Sequence, residues 1–508
     1  MKRKIFIIFI ALLAVTALLV FVASGKKDKP GKGKGGEAPT EPVTLSVLTM
    51  TGPFISGPIR IHGPEWSAKV GGGNKVEAIE VAFGDIFPKA QQAAATKSDA
   101  FDILLVANIW MADLVGWDYV IPLDDYLAKV DWYPSDVPEG IVKKNTFHGK
   151  TYGLIADNDN QYLFYRKDIL GNRDYQARFK KKYGYSYNVP PDTLEEMVDV
   201  AEFFNNWDWD NDGEDEYGFI SSVKRGNQAY WYSFSWVSPF SVIPSDKIDN
   251  PGILFFNPEN MDPLVNNPGW VKGLSLYKEM LDRGGAPGLD WVRGDVINEI
   301  VLGHAVMSID WGDTGPNSHS DVSIVEGKIG YALPPGSREY WDWRSNKWVK
   351  TDKTNKAPVH AFNGWSWYIT STTKYPDLAW SFIDFMLSSE ISSIDVASPD
   401  SGFQPWRISH SENLQPWIDR GWDKQEAKDY IQNTLDVTDH PNSVIDARIP
   451  GVSNYFEAIY EPYLISILSG EKTAQEALDQ VAKEWDALTD RLGRENQIDF
   501  YQWHLNYR

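Results

Sequence analysis

The chain has 508 residues, a formal charge of −21 and no cysteine. So acidic a surface repels phosphate backbones, which sets nucleic acid aside as a partner, and the missing cysteine excludes disulfides, thiolate metal sites and a cysteine nucleophile. The length fits two or three domains, and 22 Trp beside 24 Tyr and 23 Phe point to aromatic cores or to a surface that binds flat apolar faces.

Taken in chain order, the first element is MKRK followed by an uncharged apolar run, Ile5 to Ala23. This is either a cleaved export signal, with residues 1–24 removed, or a retained membrane anchor; in both cases the rest of the chain is extracytoplasmic. Residues 25–42 are rich in Gly, Pro and Lys and read as a flexible tether. VTLSV from Val43 alternates as a strand does, and NKVEAIEV ending at Val81 is a second strand. PKAQQAAATKS, Pro88 to Ser98, is made of helix formers. FDILLVA, Phe101 to Ala107, is a short continuous apolar run, the pattern of a strand buried on both faces. DDYLAKV has helical character, and HGKTYGLIA and QYLFYRKDIL around 148–170 return to strand. Strand and helix in alternation give an α/β class. Further on, Thr193 stands three residues before Glu196 and Thr473 three before Glu476, two capping boxes that start helices. In the second helix Ala474, Ala477, Leu478, Val481 and Trp485 recur at helical spacing.

DWDNDGEDEYG, Asp208 to Gly218, packs six acidic residues and one glycine into positions 208–216. With Asp208 as position one, Asp210 is third, Asp212 fifth, Gly213 sixth and Glu216 ninth, while Glu214 would give a backbone carbonyl. That is the ligand spacing of a calcium loop, except that position twelve is Phe219, so the loop is not a complete EF-hand. The residues fit a structural calcium site or a solvated acidic turn. Nothing near them suggests a nucleophile or base.

Several stretches together resemble the extracellular solute-binding proteins of ABC importers, the sugar-binding family that includes the maltose-binding protein. They are FDILLVANIWMADLVGWDYVIPLDDYL, FHGKTYGLIADNDNQYLFYRKDIL, GHAVMSIDWGDTG, NGWSWYITSTTKYPDLAWSFIDFMLSSE and IPGVSNYFEAIYEPYLISILSGEKTAQEALDQV, in family order from residue 43 to about 490. Two departures stand out: Ser24 occupies the place where many members carry a lipid-bearing cysteine, and Leu154-Ile155 replaces the usual Leu-Pro. The resemblance implies a two-lobe type II periplasmic-binding fold, with residues 43–157 and 308–363 in one lobe and 158–307 and 364–508 in the other. The chain would cross near 156–160, 305–310 and 363–368, and the hinge would close over a ligand. It also implies a monomeric, non-enzymatic protein that delivers a carbohydrate, an oligosaccharide by expectation, to a membrane permease with its ATPase. The acidic loop occurs in carbohydrate-binding members too, which favours calcium.

A sugar offers apolar C–H faces to aromatic rings and a rim of hydroxyls to carboxylates, amides and Arg. Trp110 follows a buried strand, where α/β sites form. Asp157, Asp159 and Gln161 fall at the first crossing, and Asp310, Trp311 and Asp313 at the return. Trp365 and Trp367 straddle Ser366. Trp231 and Trp236 lie in YWYSFSW, either core or platform. Arg407 in GFQPWR and Tyr455 at the closing helix complete the candidates. Two other readings stay open, an exported glycoside hydrolase, which needs a carboxylate pair, and a glycan-binding surface protein without transport.

Overall fold

The structure is a computed structural model that describes residues 41–209, 213–245, 252–285 and 289–505. The apolar N-terminal segment, the tether, Asp210 and Asp212 lie outside the described residues. Among the described residues, nine strands build the two larger sheets: β1 Thr44–Met50, β2 Lys75–Val81, β3 Ile103–Ala107, β4 Leu154–Asp157, β5 Gln161–Arg166, β6 Tyr217–Ile220, β7 Ala305–Trp311, β8 Ile329–Ala332 and β9 Trp365–Ile369. The first sheet runs β2-β1-β3-β9-β4 and the second β8-β5-β7-β6. The ILLVA run is β3, wholly buried between β1 and β9, which is why it shows no polar alternation. KVEAIEV is one edge strand; its Lys75 and Glu77 are exposed, while the Glu80 carboxylate accepts from Ser56 and Arg60 of the helix Pro53–Val70. Thr473 closes its capping box with Glu476, and the five spaced apolar residues of that helix are all buried. At Thr193 the hydroxyl accepts from the Glu196 N–H, while the Glu196 carboxylate turns to Asn188 and the Asp192 N–H instead of completing a box.

Strand direction brings two rims together. β1, β2 and β3 are parallel and end at Met50, Val81 and Ala107. β9 is antiparallel to β3 and β4, so Trp365 pairs with both Ala107 and Asp157 on that same rim. In the second sheet Gln161 pairs with Trp311, the first residue of β5 with the last of β7. Residues 158–160 are therefore the whole passage from one sheet to the other.

The chain returns later than the sequence suggests. The resemblance places a crossing at 305–310, but all seven residues of AVMSIDW are buried and the strand pairs with β5 and β6, so β7 stays in the second sheet throughout. The return is at 359–364, where His360 bridges Asn160 and the Ala361 N–H donates to the Asp159 carbonyl at 3.1 Å. Accordingly β8 lies in the second sheet and β9 in the first, the reverse of the expected partition. A further passage near Gln404 ties both, since Gln404 Oε1 accepts from the Asn160 N–H and its own N–H donates to Asp157 Oδ1.

One helix, Pro53–Val70, has no regular sequence signal because Pro58 and Pro64 interrupt it. Pro58 has no N–H, so the Phe54 carbonyl is released from the helix ladder. That carbonyl accepts instead from the Gly402 N–H at 2.6 Å. Gly57 allows the approach, since a Cβ there would stand 2.7 Å from the Asp400 carbonyl oxygen.

Candidate functional site

Between the two rims lies a cavity of about 270 Å³. Residues just past β1 and β2 (Thr51, Phe83) and the helix start (Phe54, Ile55) form one side, with Trp365 and Phe362. Trp311, Asp313, Gln228 and Arg293 form the other, and Asp157 and Asp159 enter on the passage between the sheets. Three wall residues hold left-handed backbone that their side chains disfavour: Asp159 at φ 53, Gln228 at φ 70 and Phe362 at φ 59. Such strain persists where the surroundings enforce it, and it clusters at binding sites.

The aromatic wall is a connected set. Phe362 packs on Phe83 at 5.7 Å, on Trp365 at 5.6 Å and on Trp311 at 5.8 Å between ring centroids. Behind it Trp231 stands 3.8 Å away, and the Asp446 carboxylate fixes both by accepting from the Trp231 indole N–H and the Phe362 N–H. Burial pushes the Asp446 carboxyl up to about 7 against those two hydrogen bonds.

The polar wall is acidic with one cation. Arg293 begins the helix Arg293–Val301, donates to Asp313 Oδ1, stands 3.6 Å from Asp310 and lies over the Phe54 ring at 4.8 Å. Burial raises the Asp313 carboxyl to about 6, although Arg293 pulls the other way. Asp157 and Asp159 rise well above the carboxylate range, first by burial and then by nearby carboxylates. Asp159 Oδ2, Asp313 Oδ2 and the Trp311 indole N–H are buried with no hydrogen-bond partner among the described residues. Groups left so cost free energy unless a guest completes them.

Of the candidates read from sequence, Asp157, Asp159, Trp311, Asp313 and Trp365 line the cavity. The others do not. Asp310 sits one layer behind, accepting from Tyr232 and Thr314 and facing Arg293. Trp110 backs Phe83 and donates its N–H to Ser453 at 2.9 Å. Trp231 is the buttress just described. Gln161 accepts from the Ser235 hydroxyl inside the second lobe. Trp236 stacks on Tyr277, and Trp367, two residues deeper along β9 than Trp365, packs edge-on to Phe382; both are core. Arg407 pairs with Asp136 at 2.6 Å, and Tyr455 bonds Thr489 among the closing helices. Strand-end logic nominated Trp110 after β3 but applies equally after β1 and β2, where it finds Thr51 and Phe83. Arg293 and Phe362 have no such sequence signal.

In the acidic loop Asp208 Oδ2 accepts from the Gly213 N–H and Glu216 Oε2 from the Trp209 N–H, so these carboxylates tie the loop's own backbone. Among the described residues no group of three or more His, Asp or Glu is arranged to hold a metal. Asp208, Glu214 and Glu216 are described; Asp210 and Asp212 are not.

A family model described as bacterial extracellular solute-binding protein matches residues 68–421, well over half the chain. The chain belongs to that family. This solute-binding protein is 22% identical over 332 residues to a Deinococcus radiodurans protein named a probable ABC transporter-binding protein, covering 64% of this chain and 67% of that one. Solved structures share its fold. An Agrobacterium radiobacter ABC transporter solute-binding protein in complex with ribitol aligns with a TM-score of 0.67 at 19% identity, over 89% of this chain and 100% of that one. Maltose-bound MalE3 of T. maritima gives 0.68 at 18%, over 88% and 100%. The GacH receptor of Streptomyces glaucescens gives 0.65 at 18%, over 88% and 99%. The solute-binding protein therefore has the two-lobe α/β architecture, and its family works outside the cytoplasm. Its family members bind solutes and are not enzymes. Among the described residues no helix is long and apolar enough to cross a membrane.

Proposed function

We propose that this solute-binding protein captures a carbohydrate between its two lobes and delivers it to an ABC permease and its ATPase. The observation that carries this reading is the cavity between the two rims. Flat rings suit the C–H faces of a sugar, and Asp159 Oδ2, Asp313 Oδ2 and the Trp311 N–H are the acceptors and donor that hydroxyls complete. Relatives of the same fold support it, for their structures hold ribitol, maltose or D-mannitol. The protein acts as a monomer, with its N-terminal apolar segment either exporting it or holding it at the membrane. Affinity is micromolar or tighter, about −8 kcal/mol. A thermal-shift screen over sugar alcohols, monosaccharides and malto-oligosaccharides tests the reading: a ligand-dependent rise in Tm with the saccharide recovered intact supports it, and no shift across the set defeats it.

A second, structural proposal concerns the acidic loop. Its spacing supports calcium held by Asp208, Asp210, Asp212 and Glu216 with the Glu214 carbonyl, pinning the turn without touching the cavity. Calcium added to chelator-treated protein then raises Tm and leaves saccharide affinity unchanged; an unchanged Tm defeats it.

A further inference from the structure

The wall of the cavity carries more acid than base, and this bears on which sugar fits, given the carbohydrate reading above. Among the described residues, Arg293 is the one cation on that wall, and Asp313 and Asp310 already engage it. The next cation, Lys144, is buried away from the wall, where it donates to Asn158 and contacts His360. Of the residues lining the cavity, Asp159 and Asp313 each keep one buried oxygen without a donor among the described residues, and Trp311 and Arg293 each keep one buried N–H without an acceptor. Burial, then Asp157 and then Asp313, raise the proton affinity of Asp159. A neutral hydroxyl supplies a donor but leaves the desolvated charge uncompensated. An ammonium supplies donors and charge together, and the surrounding Trp and Phe rings attract a cation as well.

We propose that the guest is a sugar bearing a protonated amino group, with the ammonium seated between Asp159 and Asp313 beside Trp311 and Trp365. The groups that set its charge environment are Asp157, Asp159, Asp310, Asp313 and Asp446 on one side and Arg293 and Lys144 on the other. Burial raises the Asp159 carboxyl well above the carboxylate range and the Asp313 carboxyl to about 6, so an arriving cation that favours their ionised forms drives protons off them.

Calorimetry on the full-length protein tests this with D-glucosamine and short glucosamine oligomers against D-glucose, N-acetylglucosamine and maltose. Each is titrated in two buffers of different protonation heat. The expected result is about tenfold or greater preference for the free amine over its N-acetyl counterpart, with proton release on binding. Asp159→Asn removes the preference without unfolding the chain, since Asn accepts the left-handed backbone at φ 53. Neutral sugars bound as tightly as amines overturn the charge inference and leave the carbohydrate reading standing. An amine preference that survives Asp159→Asn overturns the placement. Failure of every saccharide to bind overturns both.

Discussion

The two rims that face each other across the cavity are built differently. The first sheet offers rings: Phe54, Phe83 and Trp365 stand at or just beyond its strand ends, joined by Phe362 from the return passage. The second offers charge, with Arg293 locked to Asp310 and Asp313 beside a single buried indole, Trp311. Neither rim alone makes a sugar site. A flat apolar platform without donors gives weak, unselective stacking, and a charged rim without rings gives hydrated groups that hold nothing. On the proposed reading, selectivity would arise when the two halves close over the guest, as hinged binding proteins couple ligand to shape.

The sharpest way to break the contrast is to remove the cation from the charged rim. Arg293→Met leaves Asp310 and Asp313 buried without their partner, and stability falls by about 3–5 kcal/mol, read from urea denaturation. Of comparable size is the effect of Trp367→Ala, which opens a core cavity next to Phe382 and lowers stability by about 3–5 kcal/mol while saccharide affinity per folded molecule stays unchanged. If that variant instead bound poorly at full stability, the assignment of Trp367 to the core and Trp365 to the site would be reversed.

Acidity sharpens the comparison next. Asp313 titrates near 6 in the fold and near its ordinary 3.8 when unfolded, so the folded state keeps the proton to higher pH. Ionised Asp313 therefore costs stability above about pH 6, and the cost disappears as pH falls below about 4. Ligand-free protein gains on the order of 3 kcal/mol from this group over that fall. Asp313→Asn flattens that slope in denaturation at pH 4 and pH 7, and an unchanged slope would remove Asp313 as its source. The smallest effect is on binding: Trp311→Ala weakens saccharide affinity by about 2 kcal/mol, roughly thirtyfold, by calorimetry. An unchanged Kd would detach Trp311 from the guest while leaving the fold as it is.

The α/β class was legible because β1, β2 and β3 each carry a strand pattern that their position enforces: alternation at the edge and continuous apolar sequence in the centre. The first passage between the sheets was legible too, since DNDN between two apolar strands has little else to do. The return passage was not. AVMSIDW and WSWYI are both short, apolar and fully buried, and nothing within them says which sheet each joins; that depends on the pairing of Trp365 with Ala107 and of Trp311 with Gln161. The helix Pro53–Val70 escaped because its prolines argue against helix, and the compensating donor, Gly402, is far away in the chain.

By itself the sequence determined the acidic charge, the absence of thiol chemistry, the alternation of strand and helix, and the richness in aromatic residues from which a site could be drawn. Tertiary structure alone decided which rings serve the cavity and which serve the core. Trp365 and Trp367 have the same chemistry and the same strand, yet one ends a strand at a rim and the other lies beneath a helix. Composition and spacing are local properties, whereas a cavity is made by surfaces brought together from distant parts of the chain, so only the pairing of strands could select Arg293 and Phe362 to face Asp159.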